Sequence, residues 1–338
     1  MMNIFKVTPR TLKEVAYRVL QSDLSADFKL RAIAADRALT ILNFHRVSDG
    51  DGRRGYAAMA PELFDELVFW LKQRFSLVLF RDLETLAPGD KPPLIISFDD
   101  GYKDFIEFAV PILEKHGVCV NQNIIPAVAE SGRPPMNVVL QNFIATAPAA
   151  LLREIPLPGL PNGANPDNRT GSCLRASSAL KDLPIAAQKA IFADLDRNFS
   201  RFDGFRETAV MSLDEIRQIA TAHEIGAHSF EHASMAAETD DYLLEDLRRC
   251  RDYFMNRLGF EPSIYAFPNG SARLEQPEIV FACGFKHVLL VGEHYSRCSN
   301  WLHSRFTMHA ESSTEARARA LGWLKRPAHG KPAWADRF

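Results

Sequence analysis

Apolar residues fall along this chain in two rhythms: short unbroken runs, and stripes that return every three or four positions. Ala38 to His45 (ALTILNFH) is a run of the first kind and predicts a buried strand. Residues 61–74 follow as a helix opened by Pro61, with Phe64, Leu67, Val68 and Leu71 on its inner face. Leu77 to Phe80 predicts a short strand, and Pro93 to Phe98 a fully apolar one that ends in two aspartates. Tyr102 to His116 reads as a helix closed by Gly117, and Val118 to Ile125 as the next strand. Ser212 and Glu215 form a capping box for a helix that runs to Ala222, and Glu224 to His228 is a strand. Residues 240–258 carry Leu243, Leu247, Cys250, Phe254 and Leu258 on one stripe, stopped by Gly259. Ser263 to Phe267 predicts a strand, 274–283 a helix, and Lys286 to Val291 a further strand.

Repeated strand–helix units imply an α/β fold with a parallel sheet, either open and doubly wound or closed into a barrel. In both, ligands gather at the carboxyl ends of the strands. His45, Asp99, Asp100, His228 and Asn269 all stand at or just past such an end. The flanks read differently. Leu12, Val15, Ala16, Val19 and Leu20 form one stripe and predict a helix over 8–35. It packs on the domain or on a partner; with Lys13, Arg18 and Lys29 nearby, peripheral membrane contact is the alternative. Residues 126–210 hold many prolines, and Leu157 to Gly171 is rich in Pro, Gly and Asn, so this stretch reads as an insertion with a helix near 185–196. Lys325 to Phe338 lacks apolar periodicity and reads as a loose tail. The division expected is an N-terminal helical segment (1–37), a catalytic domain (38–310, with the insertion at 126–210) and a C-terminal tail (311–338). No internal repeat is visible.

Composition narrows the class. The chain has 338 residues, 46% of them hydrophobic, enough for one large core. A formal net charge of -2 offers no basic excess for nucleic acid. Five cysteines without a CxxC pair are a poor disulfide framework, and no signal-peptide run or membrane span is seen. The expectation is a cytoplasmic location.

The chemistry sits in two patches far apart in sequence. Ile96 to Tyr102 (ISFDDGY) places Asp99 and Asp100 where a strand ends, and Gly101 permits the turn that lets both face one pocket. A plain helix cap is the bland alternative. Gly226 to His232 (GAHSFEH) places His228 and His232 four apart, on a shared face if the chain turns helical there. The alternative is a pair of surface histidines. One carboxylate and two neutral imidazoles can hold a divalent ion with positions left open, and the second carboxylate is then free to take a proton from water. His45 stands at the mouth of the first strand. Asn121-Gln122-Asn123 is a polar trio in a strand that should be buried, either lining the pocket or fixing a turn. His294, His303 and His309 lie in a polar stretch.

Together these residues resemble the polysaccharide deacetylase (NodB-homology) family of carbohydrate esterases. Ser97-Phe98-Asp99-Asp100-Gly101 is similar to its first motif, His228-Ser229-Phe230-Glu231-His232 to its second, and Phe267-Pro268-Asn269-Gly270 to its third. Asn43 to Val47 resembles a signature that opens the domain in one branch. The similarity runs from about residue 39 to about 308. It implies a deformed (β/α) barrel of about seven strands and a metal-dependent hydrolase that removes N-acetyl groups from amino sugars of a polysaccharide or glycan precursor. An O-acetyl esterase or a glycan-binding pseudoenzyme are the alternatives. By resemblance, Asp99 is the general base, Asp100, His228 and His232 the metal ligands, and Pro268 and Asn269 the substrate and oxyanion residues, with the Asn269 N–H as donor. His45 is the candidate general acid, because no late Leu-x-His motif is found. Zinc is the implied ion, with cobalt, nickel or iron also suited to the donor set. The arginine of motif three, which pairs with the base in many members, is replaced here by Tyr265-Ala266-Phe267.

Overall fold

A computed structural model describes residues 23–50, 58–87, 89–199 and 201–324. The predicted helix at 8–35 is therefore seen only as Asp23–Ala35, and the tail at 325–338 lies outside the described residues. In that helix, Ala26, Leu30 and Ile33 are buried, so this part packs on the domain.

The strands are β1 (Ala38–Phe44), β2 (Ser76–Leu77), β3 (Pro93–Phe98), β4 (Asn121–Ile124), β5 (Glu224–Ala227), β6 (Ile264–Ala266), β7 (His287–Val291), β8 (Ser296–Arg297) and β9 (Leu302–Thr307). Seven parallel strands close a barrel in the order β1-β3-β4-β5-β6-β7-β9 and back to β1. Closure runs through Phe44 opposite Phe98 on one side of β1 and Leu42 opposite Phe306 on the other. Of the two sheet architectures open to the alternating pattern, the barrel is the one formed. The strand that completes it, β9, was not expected from the sequence.

Alternation along each strand sorts side chains between two environments. Leu39, Ile41, Ile95, Ile264, Ala266 and Leu289 form an apolar cluster inside the barrel. Their neighbours Leu42, Phe44, Leu94, Ile96, Phe98, Val288 and Leu290 face the surrounding helices in the main core. Each such side chain, fully buried, contributes about 1.5–3 kcal/mol of hydrophobic free energy. The expected strand Leu77 to Phe80 is only Ser76–Leu77; the chain then makes a short turn, Phe80–Asp82, that drops Phe80 into the barrel interior. The backbone N–H groups of Phe80 and Arg81 donate to the Glu224 carboxylate, each at 2.9 Å, at the start of β5. This seals the N-terminal end and leaves the carboxyl end for ligands.

Between β4 and β5 the chain forms helices Pro126–Ser131, Met136–Thr146, Ala149–Glu154, Arg169–Lys181 and Ile185–Phe199. The last four share a core of their own that includes Leu140, Phe143, Ile144, Ala176, Leu180 and Phe199. Only the last helix was expected. The Asn-rich stretch proves to be capping chemistry: the Asn165 side chain accepts from the Asp167 N–H and Asn168 from the Gly171 N–H, both at 3.0 Å. Helix Ser313–Ala320 also went unpredicted, because its buried face is made of alanines rather than large apolar residues.

Candidate metal centre at the carboxyl mouth of the barrel

β3 delivers the aspartates. Asp99 continues the strand, its N–H donating to Phe44 O at 3.0 Å. Asp100 and Gly101 then both take φ of 76°, in the left-handed region. For a non-glycine residue this conformation costs about 1–3 kcal/mol and persists where the surroundings enforce it. The Met211 N–H donates to Gly101 O at 2.9 Å and holds the turn. The reversal brings two consecutive carboxylates into one buried pocket, with Asp99 2% and Asp100 4% exposed.

β5 delivers the histidines. The helical turn that would give them a shared face does not form; residues 228–234 are an irregular loop. Left-handed bends at Ser229 (φ 58°) and His232 (φ 61°) fold it so that both imidazoles face the aspartates, with ring centroids 5.2 Å apart. His228 Nδ1 lies 2.8 Å from Ala266 O. A carbonyl oxygen only accepts, so Nδ1 carries the proton and Nε2 presents its lone pair.

The Nε2 atoms of His228 and His232 each stand 3.4 Å from Asp100 Oδ1. That oxygen is buried without a hydrogen-bond partner. The three donor atoms lie within 4.8 Å of one another, the one group of this kind among the described residues. Ligands about 2 Å from a tetrahedral ion are roughly 3.3 Å apart, so this donor set fits a divalent cation such as zinc in size and chemistry. Burial works against the charge on Asp100, but the two imidazoles outweigh it and hold the carboxyl well below the usual carboxylate range.

Asp99 is held differently. Arg305 on β9 clamps it with two parallel bonds, Nη1 to Oδ1 and Nη2 to Oδ2, both 2.8 Å. The guanidinium is fully buried and also donates to Asn43 Oδ1 at 3.0 Å. Asn123 Nδ2 donates to Asp99 Oδ1 at 2.8 Å, and Ser97 Oγ donates to Asn121 Oδ1 at 2.7 Å. Burial would raise the Asp99 pKa, yet Arg305 and His228 keep it below its ordinary value. Asp99 Oδ2 is 3.9 Å from His228 Nε2, so the second carboxylate borders the donor set.

Arg305 is the functional residue that the sequence reading missed. The arginine absent from motif three is present on another strand, and Ala266, small and inward-facing, is packed in the barrel interior. Its signal was a lone charge in Leu302 to Thr307 (LHSRFT), where His303 and Arg305 share one face and Leu302 and Phe306 the other. The polar trio belongs to β4, and Asn121 and Asn123 extend the network under Asp99. His303 is no surface residue: it lies 3.2 Å from His287 Nδ1 and packs on Phe80 deep in the barrel.

His45 follows β1, half-buried within electrostatic reach of Asp100, Asp99 and His228. Burial outweighs those aspartates and lowers its pKa to about 4. Pro268 and Asn269 form a short turn after β6, with Asn269 in the left-handed region (φ 59°) and its side-chain amide donating to Ser234 Oγ at 3.2 Å.

Fold and site define a closed β/α barrel with a cation-ready cluster beside a clamped carboxylate. A family model described as polysaccharide deacetylase matches residues 188–288, a span that includes His228, His232, Pro268 and Asn269. Among solved structures the chain is similar to the Streptococcus pyogenes deacetylase PplD in complex with acetate, at 15% identity and a TM-score of 0.56, covering 84% of this chain and 98% of that one. It is similar to IcaB from Ammonifex degensii at 15% identity and a TM-score of 0.54 (84% and 97% covered). It is similar also to a de-N-acetylase from Aggregatibacter actinomycetemcomitans at 14% identity and a TM-score of 0.51 (79% and 94% covered). At such identities the likeness is one of fold. No curated protein matches the chain. The matched span and the shared barrel thus make the chain similar to polysaccharide deacetylases, by family model over residues 188–288 and by fold over most of its length.

Proposed function

We propose that this chain is a metal-dependent hydrolase that removes N-acetyl groups from amino sugars of a polysaccharide or glycan precursor. The observation that carries the reading is the buried, partnerless Asp100 oxygen between two imidazoles, next to a carboxylate already paired with Arg305. Asp100, His228 and His232 would hold the ion, zinc being the default and cobalt, nickel or iron alternatives. When bound there, a divalent ion polarises an acyl carbonyl and acidifies water.

The protein's own groups do the rest. Asp99, fixed by Arg305 and Asn123, accepts a proton from the attacking water. The backbone N–H of Asn269, on the turn that also carries Pro268, offers a donor to the developing oxyanion; such donors contribute about 3 kcal/mol. The departing amine needs a proton. His45, within electrostatic reach of Asp99 and Asp100, is the residue proposed to deliver it; burial lowers its pKa to about 4. The de-N-acetylase among the structural neighbours is the reason to test the amide before the ester. Among the described residues no helix is long and apolar enough to cross a membrane. All five cysteines are unpaired, which suits the reducing environment of the cytoplasm.

The test is acetate release from N-acetylglucosamine oligomers and from O-acetylated xylan oligomers, with and without chelator. Asp100→Ala and His228→Ala should lose both bound metal and acetate release. Full activity in either variant, or under chelation, overturns the reading. Release from the O-acetyl substrate alone converts it to an esterase, and a tight glycan complex without turnover to a binding protein.

A further inference from the structure

The loop that carries both imidazoles is pinned from behind by a carboxylate that the motifs do not contain. Asp246, on helix Asp240–Tyr253, is 1% exposed. Its Oδ1 accepts from Ser229 Oγ at 2.8 Å and from the Phe230 N–H at 2.9 Å. Its Oδ2 accepts from Tyr265 OH at 2.9 Å. Ser229 Oγ in turn accepts from the Ala233 N–H at 3.1 Å. One buried side chain thus ties a helix, the loop between His228 and His232, and strand β6.

We propose that Asp246 is a positioning residue that sets the spacing of His228 and His232 and thereby the metal affinity of the site. Two features of the backbone make the loop dependent on it. Ser229 and His232 are both in the left-handed region, which non-glycine residues leave unless something holds them. The bonds from Asp246 fall on Ser229 and on the residue after it, and through Ser229 Oγ they reach Ala233, so they bracket both strained positions. The second feature is β6. Tyr265 precedes Ala266, whose carbonyl fixes the His228 ring through Nδ1. The bond from Tyr265 to Asp246 therefore sets where that carbonyl stands relative to the loop. Both means of orienting His228, its own backbone and its Nδ1 partner, converge on one carboxylate. Tyr265 occupies the segment in which the family's motif-three arginine is missing, so in this chain that part of β6 serves the histidines while Arg305 serves Asp99.

This inference rests on the metal-site reading above, and the experiment separates the two. Zn2+ is titrated into the full chain in competition with a chromophoric chelator, for wild type, Asp100→Ala, Asp246→Asn and Tyr265→Phe. Wild type should bind one ion and Asp100→Ala none. Partners behind metal ligands typically govern affinity by about 10–100-fold, so Asp246→Asn should weaken binding by that factor. Tyr265→Phe, which keeps the ring, should weaken it less but in the same direction, and it carries the test if Asp246→Asn fails to fold. Unfolding midpoints measured in excess chelator provide the contrast: a merely structural role lowers the midpoint and leaves the Zn2+ affinity of the folded chain unchanged. Affinity within twofold of wild type in the folded variants overturns the proposal while the site stands. A wild-type chain that takes up no ion overturns both.

Discussion

Replacing Arg305 with methionine isolates what the barrel's closing strand does for the site. The substitution keeps length and apolar volume but removes both 2.8 Å bonds to Asp99, leaving a carboxylate 2% exposed without its cationic partner. Removing one member of a buried ion pair costs about 3–5 kcal/mol, because the remaining charge stays desolvated. Asp99 keeps the Asn123 bond, which places the expectation at the lower end, about 3 kcal/mol. The Asp99 pKa should also rise, since Arg305, the largest influence opposing burial, is gone. A base must be ionised to act, so the acid limb of the acetate-release profile should move to higher pH. Urea unfolding of Arg305→Met, Asp99→Asn and the double variant closes a thermodynamic cycle. The double variant should be more stable than the sum of the single losses predicts, by about 2 kcal/mol or more, because the neutral amide introduced by Asp99→Asn no longer needs a cation. A coupling energy below about 0.5 kcal/mol with an unmoved acid limb would refute the assignment of Arg305 as the clamp on the base.

Two further outcomes follow from packing and burial. A Cβ at Gly226 would clash with Asn123 Oδ1 and lie 3.0 Å from Ile264 Cβ, so Gly226→Ala should cost about 1–3 kcal/mol in urea unfolding and slow acetate release by displacing a donor to Asp99; wild-type stability and rate would show that the interior has slack. His223 is buried with Nδ1 accepting from the Val120 N–H at 3.2 Å, and burial lowers its pKa from 6.5 to about 4. Its neutral form therefore stabilises the fold fully above pH 6.5, and that contribution, roughly 3 kcal/mol, is lost as pH falls through 6.5 towards 4 and below. The stability gap between wild type and His223→Asn should narrow over that range, and a constant gap between pH 7 and pH 4 would count against it.

Much of the site could be read before the fold was known. Asp99 and Asp100 follow an apolar strand, where a helix cap would explain them on their own; the histidine pair after another strand is what turns the reading towards a metal site. His228 and His232 follow from their spacing after another strand. The helical turn that would give them a shared face does not form: two left-handed residues fold the loop instead, and left-handed φ at Ser or His leaves no mark in hydropathy. Helix Arg169–Lys181 escaped for a related reason. Its buried face is Ser172, Cys173, Ala176, Ser177 and Leu180, too small and polar to form a stripe.

By itself, then, the chain determined what is local: the alternation of strands and helices, the capping box at Ser212 and Glu215, and the order of the acidic and imidazole motifs. Each depends on neighbours a few residues apart, where periodicity and backbone chemistry are legible. Tertiary structure alone decided that the sheet closes, that β9 closes it, and that Arg305 meets Asp99 across 206 positions of sequence. β9 turns Arg305 inward because at that level its interior face meets buried carboxylate and amide groups. A strand whose inner side is written for partners elsewhere in the chain carries no hydrophobic rhythm of its own, and only the folded barrel supplies the groups that stabilise its buried charge.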